Sequence, residues 1–333
     1  MATISDVARR AGVSVSTVSH VVNGTRHVNA DTRATVDAAI HALGYMPNAV
    51  AQSLARSTTN AVGIAISTST SSYFMDIICA IEKACGELGQ MVFLADTKDD
   101  PQTELEVVRA LHQRRVDGII FAPSADPERL AIRYIAGNKL PCVLVDRFID
   151  EDLDQVGITN ASSMMLMVEH LIRLGHRRIG LIAGQPNFTT TLERIDGYQT
   201  ALRNHGIVLD PTLVHPGNST VAEAARAATT LFVLDNRPTA IAAGNNLATI
   251  GVMQAIRTAG LHVPTDIALA GFDDFEWADC FEPRLTVMAQ PCADIGRTAA
   301  ILLSQRIKNH DSPRQSVRLE PKLVIRTSCG SSA

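Results

Sequence analysis

The residues between 15 and 23 combine short polar side chains at a spacing that could read DNA. On a helix, one face of this stretch would carry Val15, Ser16, Thr17, Ser19, His20 and Asn23. An ordinary surface helix carries Glu and Lys on such a face, whereas this one is nearly uncharged. Short hydroxyl, amide and imidazole groups reach base edges and phosphates in a major groove without crowding. The stretch therefore predicts a DNA-reading helix, and a helical hairpin that binds only protein is the alternative.

Two apolar ladders and a glycine predict the elements that position this face. The ladders repeat as on one side of a helix and consist of Ile4, Val7, Ala8 and Ala11, and of Val18, Val21 and Val22. Gly12 permits the corner between the two helices, and Ser14 can cap the second. A third helix is predicted from a cap at Asn29 to a stop at Gly44 and Pro47. Its buried stripe consists of Val36, Ala39, Ile40 and Leu43.

The run from Asp6 to Asn23, continued by Thr25-Arg26 and Thr32-Arg33, resembles the helix-turn-helix of the LacI/GalR family of bacterial transcription regulators. It is especially similar to the purine and ribose repressors of that family. The resemblance implies a dimer that reads a pseudo-palindromic operator in successive major grooves, with Val15, Ser16 and His20 against bases. Phosphates would be held by Ser5, Ser14, Thr17, Ser19 and Asn23. Arg26 would lie at the far end, against bases or backbone.

Residues 48–60 form a segment that is too short to hold a helix alone in water. In the family that the chain resembles, this segment is a hinge helix that folds when two copies pair over the minor groove. Leu54 would then wedge between central base pairs and bend the DNA. The chain departs from the pattern at Ala55, where relatives such as the purine repressor carry lysine, and Arg56 is predicted to supply the charge. An apolar linker residue that packs on the core is the second interpretation of Leu54.

Composition and charge indicate an ordinary α/β protein without a leader or a membrane segment. The 333 residues are 46 % hydrophobic and 4 % aromatic, with a net charge of -4, although residues 1–60 hold five Arg and three His against three Asp. The DNA-facing part is thus mildly basic, and hydroxyl and backbone donors must supply much of the affinity. The scattered cysteines form no C-x-x-C pair, so reduced thiols are expected, without disulfides, metal or cofactor. The predicted location is the bacterial cytoplasm, at the nucleoid.

From residue 61 the pattern changes to continuous apolar strands alternating with amphipathic helices. This alternation predicts parallel sheets covered on both faces, and its length predicts two subdomains with a cleft between them. The predicted fold is an all-α helix-turn-helix headpiece (1–47), a hinge helix (48–60) and an α/β core (61–333) of two doubly wound sheets. The core resembles periplasmic sugar-binding proteins, which implies crossings near residues 160, 290 and 320. The N-subdomain would comprise about 61–160 and 291–318, and the C-subdomain about 161–290 and 319–333.

Polar and aromatic residues at the predicted strand ends form a candidate ligand site, because ligands of doubly wound sheets bind there. They are Ser67, Tyr73, Phe74, Asp146, Arg147, Arg194, Asn245, Asp273 and Gln290. Such carboxylate, amide and guanidinium groups can each engage two adjacent sugar hydroxyls, while aromatic rings cover sugar C–H faces. Structural roles remain open for several of them: an Asp273–Arg194 ion pair across the cleft, Asn245 as a helix cap, Tyr73 and Phe74 as core, and Gln290 as a hinge fastener.

The same set is similar to the binding residues of ribose-binding proteins, whereas the comparison with purine repressors fails at two positions. Their purine-stacking tryptophan after Asp146 is Arg147 here, and their purine-binding arginine is Phe188. We therefore expect a ribose-like monosaccharide, or a sugar acid held by Arg147 and Arg194, and not a purine. Release of DNA by the ligand is expected, since it is commoner for sugars in this family.

A homodimer is expected, because residues 327–333 lack the leucine heptads of the lactose repressor's tetramerising tail. The chain is not expected to be an enzyme, since it lacks G-x-S-x-G, the P-loop pattern and H-E-x-x-H. A sugar-processing enzyme using Asp146 with Asp273 is one alternative. A regulator that answers to a phosphoprotein or another non-sugar effector is the second.

Overall fold

The computed structural model describes residues 2–24, 26–46, 58–67, 72–280 and 282–330, and its contacts divide the chain into two compact units, 1–60 and 61–333. The first unit contains the helices α1 (Ile4–Ala11), α2 (Val15–Asn23) and α3 (Ala30–Leu43). The predicted ladders form its core, in which Val7, Val18 and Val36 are fully buried. The predicted three-helix headpiece is therefore confirmed.

Polar caps set the ends of these helices. The Ser14 hydroxyl accepts the Thr17 N–H at 3.1 Å, and Asn29 Oδ1 accepts the Thr32 N–H at 2.8 Å, as the sequence predicted. Gly12 ends α1 at φ 66°, a left-handed conformation that costs little only for glycine. These caps turn the chain sharply between α1 and α2, and so orient α2.

Two sheets form the second unit. In chain order the strands are β1 (Ala61–Ile66), β2 (Met91–Asp96), β3 (Gly118–Phe121), β4 (Cys142–Val145), β5 (Asp154–Ile158), β6 (Ile179–Ala183), β7 (Val214–Pro216), β8 (Ala240–Ala243), β9 (Ala268–Phe272), β10 (Thr286–Ala289), β11 (Ser316–Leu319) and β12 (Lys322–Val324). Sheet 1 has the order β11-β5-β4-β3-β1-β2, and sheet 2 the order β12-β10-β9-β8-β6-β7. The order within each sheet places early and late strands side by side, as in doubly wound folds.

Helices between the strands cover the sheets. They are α4 (Ser72–Glu87), α5 (Pro101–Gln113), α6 (Leu130–Gly137), α7 (Asn160–Arg173), α8 (Thr189–Asn204), α9 (Val221–Phe232), α10 (Asn246–Thr258) and α11 (Cys292–Lys308). We call residues 61–158 and 292–319 the sheet 1 half, and residues 160–289 and 322–330 the sheet 2 half. The chain passes between them at residues 159, 290–291 and 320–321.

The edge strands differ from the expectation of parallel strands buried on both faces, and β12 and β2 show this most clearly. β12 runs antiparallel to β10, because only two residues separate it from β11 and it enters sheet 2 at an edge. β2 is the edge strand of sheet 1, and its Met91, Phe93 and Leu94 are 68 %, 39 % and 46 % exposed. An apolar run predicts a strand but does not distinguish a central position from an edge position.

No helix in the described ranges has the length and apolar character needed to cross a bilayer.

Candidate functional site

The polar face of α2 presents a cluster of hydroxyl groups at the start of the helix. The Ser14 hydroxyl lies 2.7 Å from the Ser16 hydroxyl and 2.8 Å from Thr17 Oγ1. One turn later, Asn23 Nδ2 donates to Ser19 Oγ at 3.1 Å. Small donors at a helix N-terminus suit a phosphate, because the positive end of the helix dipole lies there.

The predicted DNA-contacting residues differ in exposure. Ser5, Ser14, Val15, Ser16 and Arg26 are exposed, and Thr17, Ser19, His20 and Asn23 are partly buried. The prediction for Leu54 and Arg56 falls outside the described residues. The start of α2 is therefore accessible to a partner.

A cavity of about 300 Å³ lies between the two halves of the second unit, at the carboxyl ends of their strands. All nine residues predicted for the ligand site line it: Ser67, Tyr73, Phe74, Asp146, Arg147, Arg194, Asn245, Asp273 and Gln290. Strand ends of parallel sheets meet at one edge, which is why residues up to 223 positions apart converge here.

Asp146 and Asp273 occupy matching positions in the two halves. Each follows a central strand, adopts a positive φ (69° and 75°) and donates its own N–H to the next strand at 3.0 Å. A left-handed non-glycine residue is disfavoured, and Asp tolerates it better than most residues. This backbone conformation sets both carboxylates at the cleft. Burial raises the pKa of Asp273, while Arg194 and the hydrogen bond from Gln290 oppose that shift.

Three partners from the sheet 1 half hold Arg147. Its Nη1 donates to Asp99 Oδ1 at 2.6 Å and to the Pro123 carbonyl at 2.9 Å, and its Nε lies 3.5 Å from Asp146 Oδ2. Burial disfavours the charged guanidinium, but Asp99, Asp146 and Glu104 raise the Arg147 pKa. The side chain is thus a fixed cation in the cavity wall.

Arg194 is held within the sheet 2 half and at the crossing between the halves. Its Nε donates to Asn160 Oδ1 at 2.8 Å and its Nη1 to the Gly244 carbonyl at 2.6 Å. Its guanidinium carbon lies 3.8 Å from the centre of the Phe272 ring. Asp273 belongs to the same half and instead accepts from Gln290 Nε2 at 2.5 Å and from the Asn246 N–H at 3.1 Å. The interpretation of Asp273 and Arg194 as an ion pair across the cleft is therefore wrong.

Four further residues of the cavity wall combine a structural role with an exposed face toward the cavity. Asn245 Oδ1 caps α10 by accepting the Ala248 N–H at 2.8 Å, while Asn245 also lines the cavity. Tyr73 and Phe74 belong to the core and to the cavity wall, and the Tyr73 hydroxyl donates to Asp146 Oδ1 at 2.8 Å. Gln290 lies at a crossing and binds Asp273, so it fastens the hinge and lines the cavity at once.

Sequence reasoning missed several lining residues, most of which lie on loops. They are Lys98, Asp99, Gln185, Phe188, Thr190, Thr191, Asn218, Ser219, Thr220, Gly244, Asn246 and Leu247. Asp99 closely follows β2 and Asn246 follows Asn245, so a wider search at the strand ends would have found them. Nothing in the sequence marks the loop 218–220, which reaches the cavity from the edge strand β7.

Charges around the cavity balance. Lys98, Arg147 and Arg194 face Asp99, Asp146 and Asp273 among its lining residues. Each buried arginine has a carboxylate or carbonyl partner from the protein itself. The site is therefore polar but has no large excess of either charge.

The chain is similar to known proteins over almost its whole length. Residues 3–48 match the family described as bacterial regulatory proteins, lacI family, and residues 168–329 match the periplasmic binding protein-like domain. The HTH-type transcriptional repressor PurR of Mannheimia succiniciproducens is 35 % identical over 329 residues, which is 98 % of either chain. The chain belongs to the LacI family of bacterial regulatory proteins.

Two solved structures agree with this assignment for the LacI-family chain. A lac repressor dimer bound to operator and the anti-inducer ONPF is 30 % identical, with a TM-score of 0.89 over 98 % of this chain and 99 % of that one. A CelR–cellobiose complex is 29 % identical, with a TM-score of 0.76 over 98 % and 100 %. The expected family and fold are thus confirmed, and the chain is a DNA-binding transcriptional repressor. At the family level, this supports a regulatory and not an enzymatic role.

Behind the cavity, the burial of Glu104 predicts that the stability of this repressor depends on pH. Glu104 is 1 % exposed, accepts the Ser124 N–H, and burial raises its pKa from 4.5 to about 7. Between pH 4.5 and about 7, Glu104 is ionised in the unfolded state but still protonated in the folded state. Ionisation therefore stabilises only the unfolded state in this range, and the free energy of unfolding falls as pH rises toward 7. We expect the unfolding free energy to fall by about 3 kcal/mol from this group across the window.

Urea unfolding between pH 4.5 and 8 measures the change in unfolding free energy. In Glu104→Gln, the pH-dependent contribution of Glu104 should be absent. Glu106→Gln, at an exposed position of the same helix, is the control. Equal pH slopes for wild type and Glu104→Gln would contradict the prediction.

Proposed function

We propose that this repressor is a homodimer in the bacterial cytoplasm whose affinity for a pseudo-palindromic operator is controlled by a neutral monosaccharide in the cleft. The headpiece (1–47) would read the operator, residues 48–60 would link it, and the core (61–333) would bind the sugar and pair with a second copy. The observation that carries the proposal is the donor and acceptor set of the cavity.

Two buried polar atoms of the cavity wall favour a hydroxyl-bearing ligand. Arg147 Nε is a donor and Gln290 Oε1 an acceptor, and neither makes a hydrogen bond in the part of the chain that the structure describes. The ion-pair partner of Arg147 Nε, Asp146 Oδ2, lies 3.5 Å away. Leaving such groups unpaired is unfavourable, so a ligand that supplies both kinds of partner gains affinity. A hydroxyl group both donates and accepts.

The charges and ring contacts of the cavity wall narrow the chemical class of the proposed ligand further. The guanidinium groups of Arg147 and Arg194 have protein partners, which favours a neutral sugar over a sugar acid. The guanidinium carbon of Arg147 lies 3.9 Å from the centre of the Phe188 ring, and that of Arg194 lies 3.8 Å from the centre of the Phe272 ring. The ring faces that the two guanidinium groups cover cannot also stack on a flat base. These contacts support a sugar over a purine, although curated relatives carry the name PurR.

Ligand binding would act through the relative position of the two halves. A ligand shifts an equilibrium only when it binds one state better than the other, and the operator must prefer one of the same states. Because the cavity walls belong to both halves, a sugar favours the state in which they lie close together. We propose release of DNA as the outcome.

A thermal unfolding panel tests the effector class. The full chain is heated with D-ribose, D-glucose, D-galactose, D-gluconate, adenine and hypoxanthine, each in large excess. A ligand at a hundredfold excess over its Kd adds about 2.7 kcal/mol of stability. A shift with a neutral sugar alone supports the proposal. A rise in melting temperature only with gluconate or with the purine bases, or no rise with any compound, would contradict a neutral sugar as the effector and indicate another class.

The DNA contacts proposed for the headpiece predict a base-specific effect of His20. His20→Ala should relax the preference at one base position of each half-site by ~1–3 kcal/mol, because an imidazole that donates to a base edge discriminates between bases. Selection from a random DNA pool, followed by titration of single-base variants, measures it. Ser16→Ala provides the comparison on the same face. A uniform loss across sequences would assign His20 to phosphate contact.

The apolar edge of sheet 1 supports the homodimer. Met91, Phe93 and Leu94 form an exposed apolar strip on β2, which is typical of an interface. Phe93→Lys should raise the dimer dissociation constant at least ~100-fold, since a charge would have to be buried unpaired. Sedimentation equilibrium measures it, with Val208→Lys, at an 88 % exposed loop position, as control. A Phe93→Lys chain as dimeric as wild type would move the interface elsewhere.

A further inference from the structure

Arg147 meets the opposite wall of the cleft through a single aromatic ring. Its guanidinium carbon lies 3.9 Å from the centre of the Phe188 ring, while every polar partner described above for Arg147 belongs to its own half. Phe188 is 5 % exposed and immediately precedes α8 in the sheet 2 half. The contact therefore joins the two halves directly through side chains of the chain itself.

Both partners are held firmly by their own half. Asp99, Asp146 and the Pro123 carbonyl fix the edge of the guanidinium, so that its flat face is presented to the cleft. On the opposite wall, Asn187 has a positive φ of 68° and turns the loop so that Phe188 can start the helix. A planar cation and a ring at this distance attract each other strongly when both are shielded from water.

We propose that Phe188 is a positioning residue that latches the cleft by covering the guanidinium of Arg147. Opening the cleft would separate the ring from a cation that remains tied to three partners in the sheet 1 half. Among the described residues, two further polar side-chain contacts join the halves: Asn246 Nδ2 donates to Ser72 Oγ at 3.2 Å, and Arg318 pairs with Glu193 at 2.8 Å. The Arg318 pair lies at the crossings, where it can persist while the cleft opens, and the Asn246 bond is uncharged.

The latch sets how often the ligand-free repressor is closed. A ligand that needs the closed state binds with an apparent affinity reduced by the fraction of molecules that are closed. Phe188 would thus raise effector affinity without itself needing to touch the effector. This consequence rests on the proposed function, whereas the latch itself is a property of the ligand-free chain.

The chain offers a matched control for the latch. Phe148 carries the guanidinium of Arg318 at the same distance, 3.9 Å, but both residues belong to the sheet 1 half. Phe188→Met and Phe148→Met each replace a ring by a flexible apolar side chain that lacks a π face. Only the first removes a contact across the cleft. Phe188→Tyr retains the ring and is the conservative variant.

Hydrogen exchange of the full chain, with no ligand added, tests the latch. In Phe188→Met we expect exchange to rise roughly tenfold on both cavity walls, at residues 97–99 and 146–148 and at residues 184–188 and 244–247. Phe148→Met should leave the wall at 184–188 and 244–247 unchanged, and Phe188→Tyr should resemble wild type. Arg147→Lys keeps the charge but loses the planar group, so its hydrogen exchange should resemble that of Phe188→Met. It replaces Phe188→Met in the test if Phe188→Met does not fold.

A rise confined to residues 184–188 would overturn the latch, since it would show local packing only. Equal effects of Phe188→Met and Phe148→Met on both walls would also overturn it. Because no effector is present, these results do not depend on whether any sugar binds. Failure of the latch and failure of the proposed effector class are therefore distinguishable.

Discussion

Replacing Asp273 by Asn should remove most of the response of this repressor to the proposed sugar effector while leaving DNA binding intact. Asp273 is 4 % exposed, lines the cavity and accepts from Gln290 and from the Asn246 N–H. Asn has the same shape and tolerates the left-handed backbone at this position, so the wall should keep its form. What is lost is a charged acceptor, which strengthens hydrogen bonds from sugar hydroxyls about twofold.

The expected loss is roughly a hundredfold in sugar affinity, about 2.7 kcal/mol. At a sugar concentration of a hundred times the wild-type Kd, the stabilisation in a melting experiment should fall from about 2.7 to about 0.4 kcal/mol. DNA affinity without sugar should not change, since Asp273 belongs to the core and not to the headpiece.

Asp274→Asn is the matched control for this experiment. Its carboxylate is the neighbour of Asp273 in sequence, but it pairs with Arg326 at 3.0 Å and is not part of the cavity lining. This variant should lose some stability and keep the sugar response. A response in Asp273→Asn as large as in wild type would remove Asp273 from the binding site.

The sequence predicted the cavity residues well because the rule that locates them is topological. The parallel strands of each sheet end at one edge, and the predicted cleft between the subdomains brings the two edges together, so polar residues that follow apolar runs, such as Asp146 and Asp273, are expected to lie there. The rule needs no knowledge of distance, only of strand direction. It predicts which side chains converge, but not which partner each side chain selects.

Partner choice depends on loop geometry that the sequence pattern does not encode. Arg147 and Asp99 pair because two loops 48 positions apart reach the same point above sheet 1. Phe188 lies over Arg147 in a loop where the preceding Asn187 takes a left-handed conformation. Alternation of strands and helices fixes neither of these, so the latch could be recognised only in three dimensions.

The pattern of apolar residues also did not predict which strands are exposed. The run Met91-Val92-Phe93-Leu94-Ala95 is as apolar as a central strand, yet β2 is an edge. A strand that pairs with a second copy and a strand buried within one sheet share the same composition, because both end up shielded from water. The proposed pairing with a second copy would therefore account for the apolar character of these residues.

The largest loss of stability is expected from Arg306→Met. Arg306 lies on α11, in the sheet 1 half, and does not line the cavity. Arg306 and Asp154 are 2 % exposed and form two hydrogen bonds, at 2.7 and 3.0 Å. The same guanidinium donates to the carbonyls of His310, Ser312 and Pro313. It therefore closes the loop between α11 and β11, and so fixes the strand that leads to the last crossing at residues 320–321.

Removing Arg306 leaves a buried carboxylate without its cation, and breaking such a pair costs about 3–5 kcal/mol. We expect Tm to fall by roughly 10 °C or more, measured by calorimetry of the full chain. Arg314→Met is the control, because its partner Asp152 lies 3.8 Å away and is 90 % exposed, so its effect should be below ~1 kcal/mol. The double variant Arg306→Met with Asp154→Leu should regain part of the loss, since no charge is then left unpaired. If Arg306→Met and Arg314→Met melted alike, the loop would not depend on the buried pair.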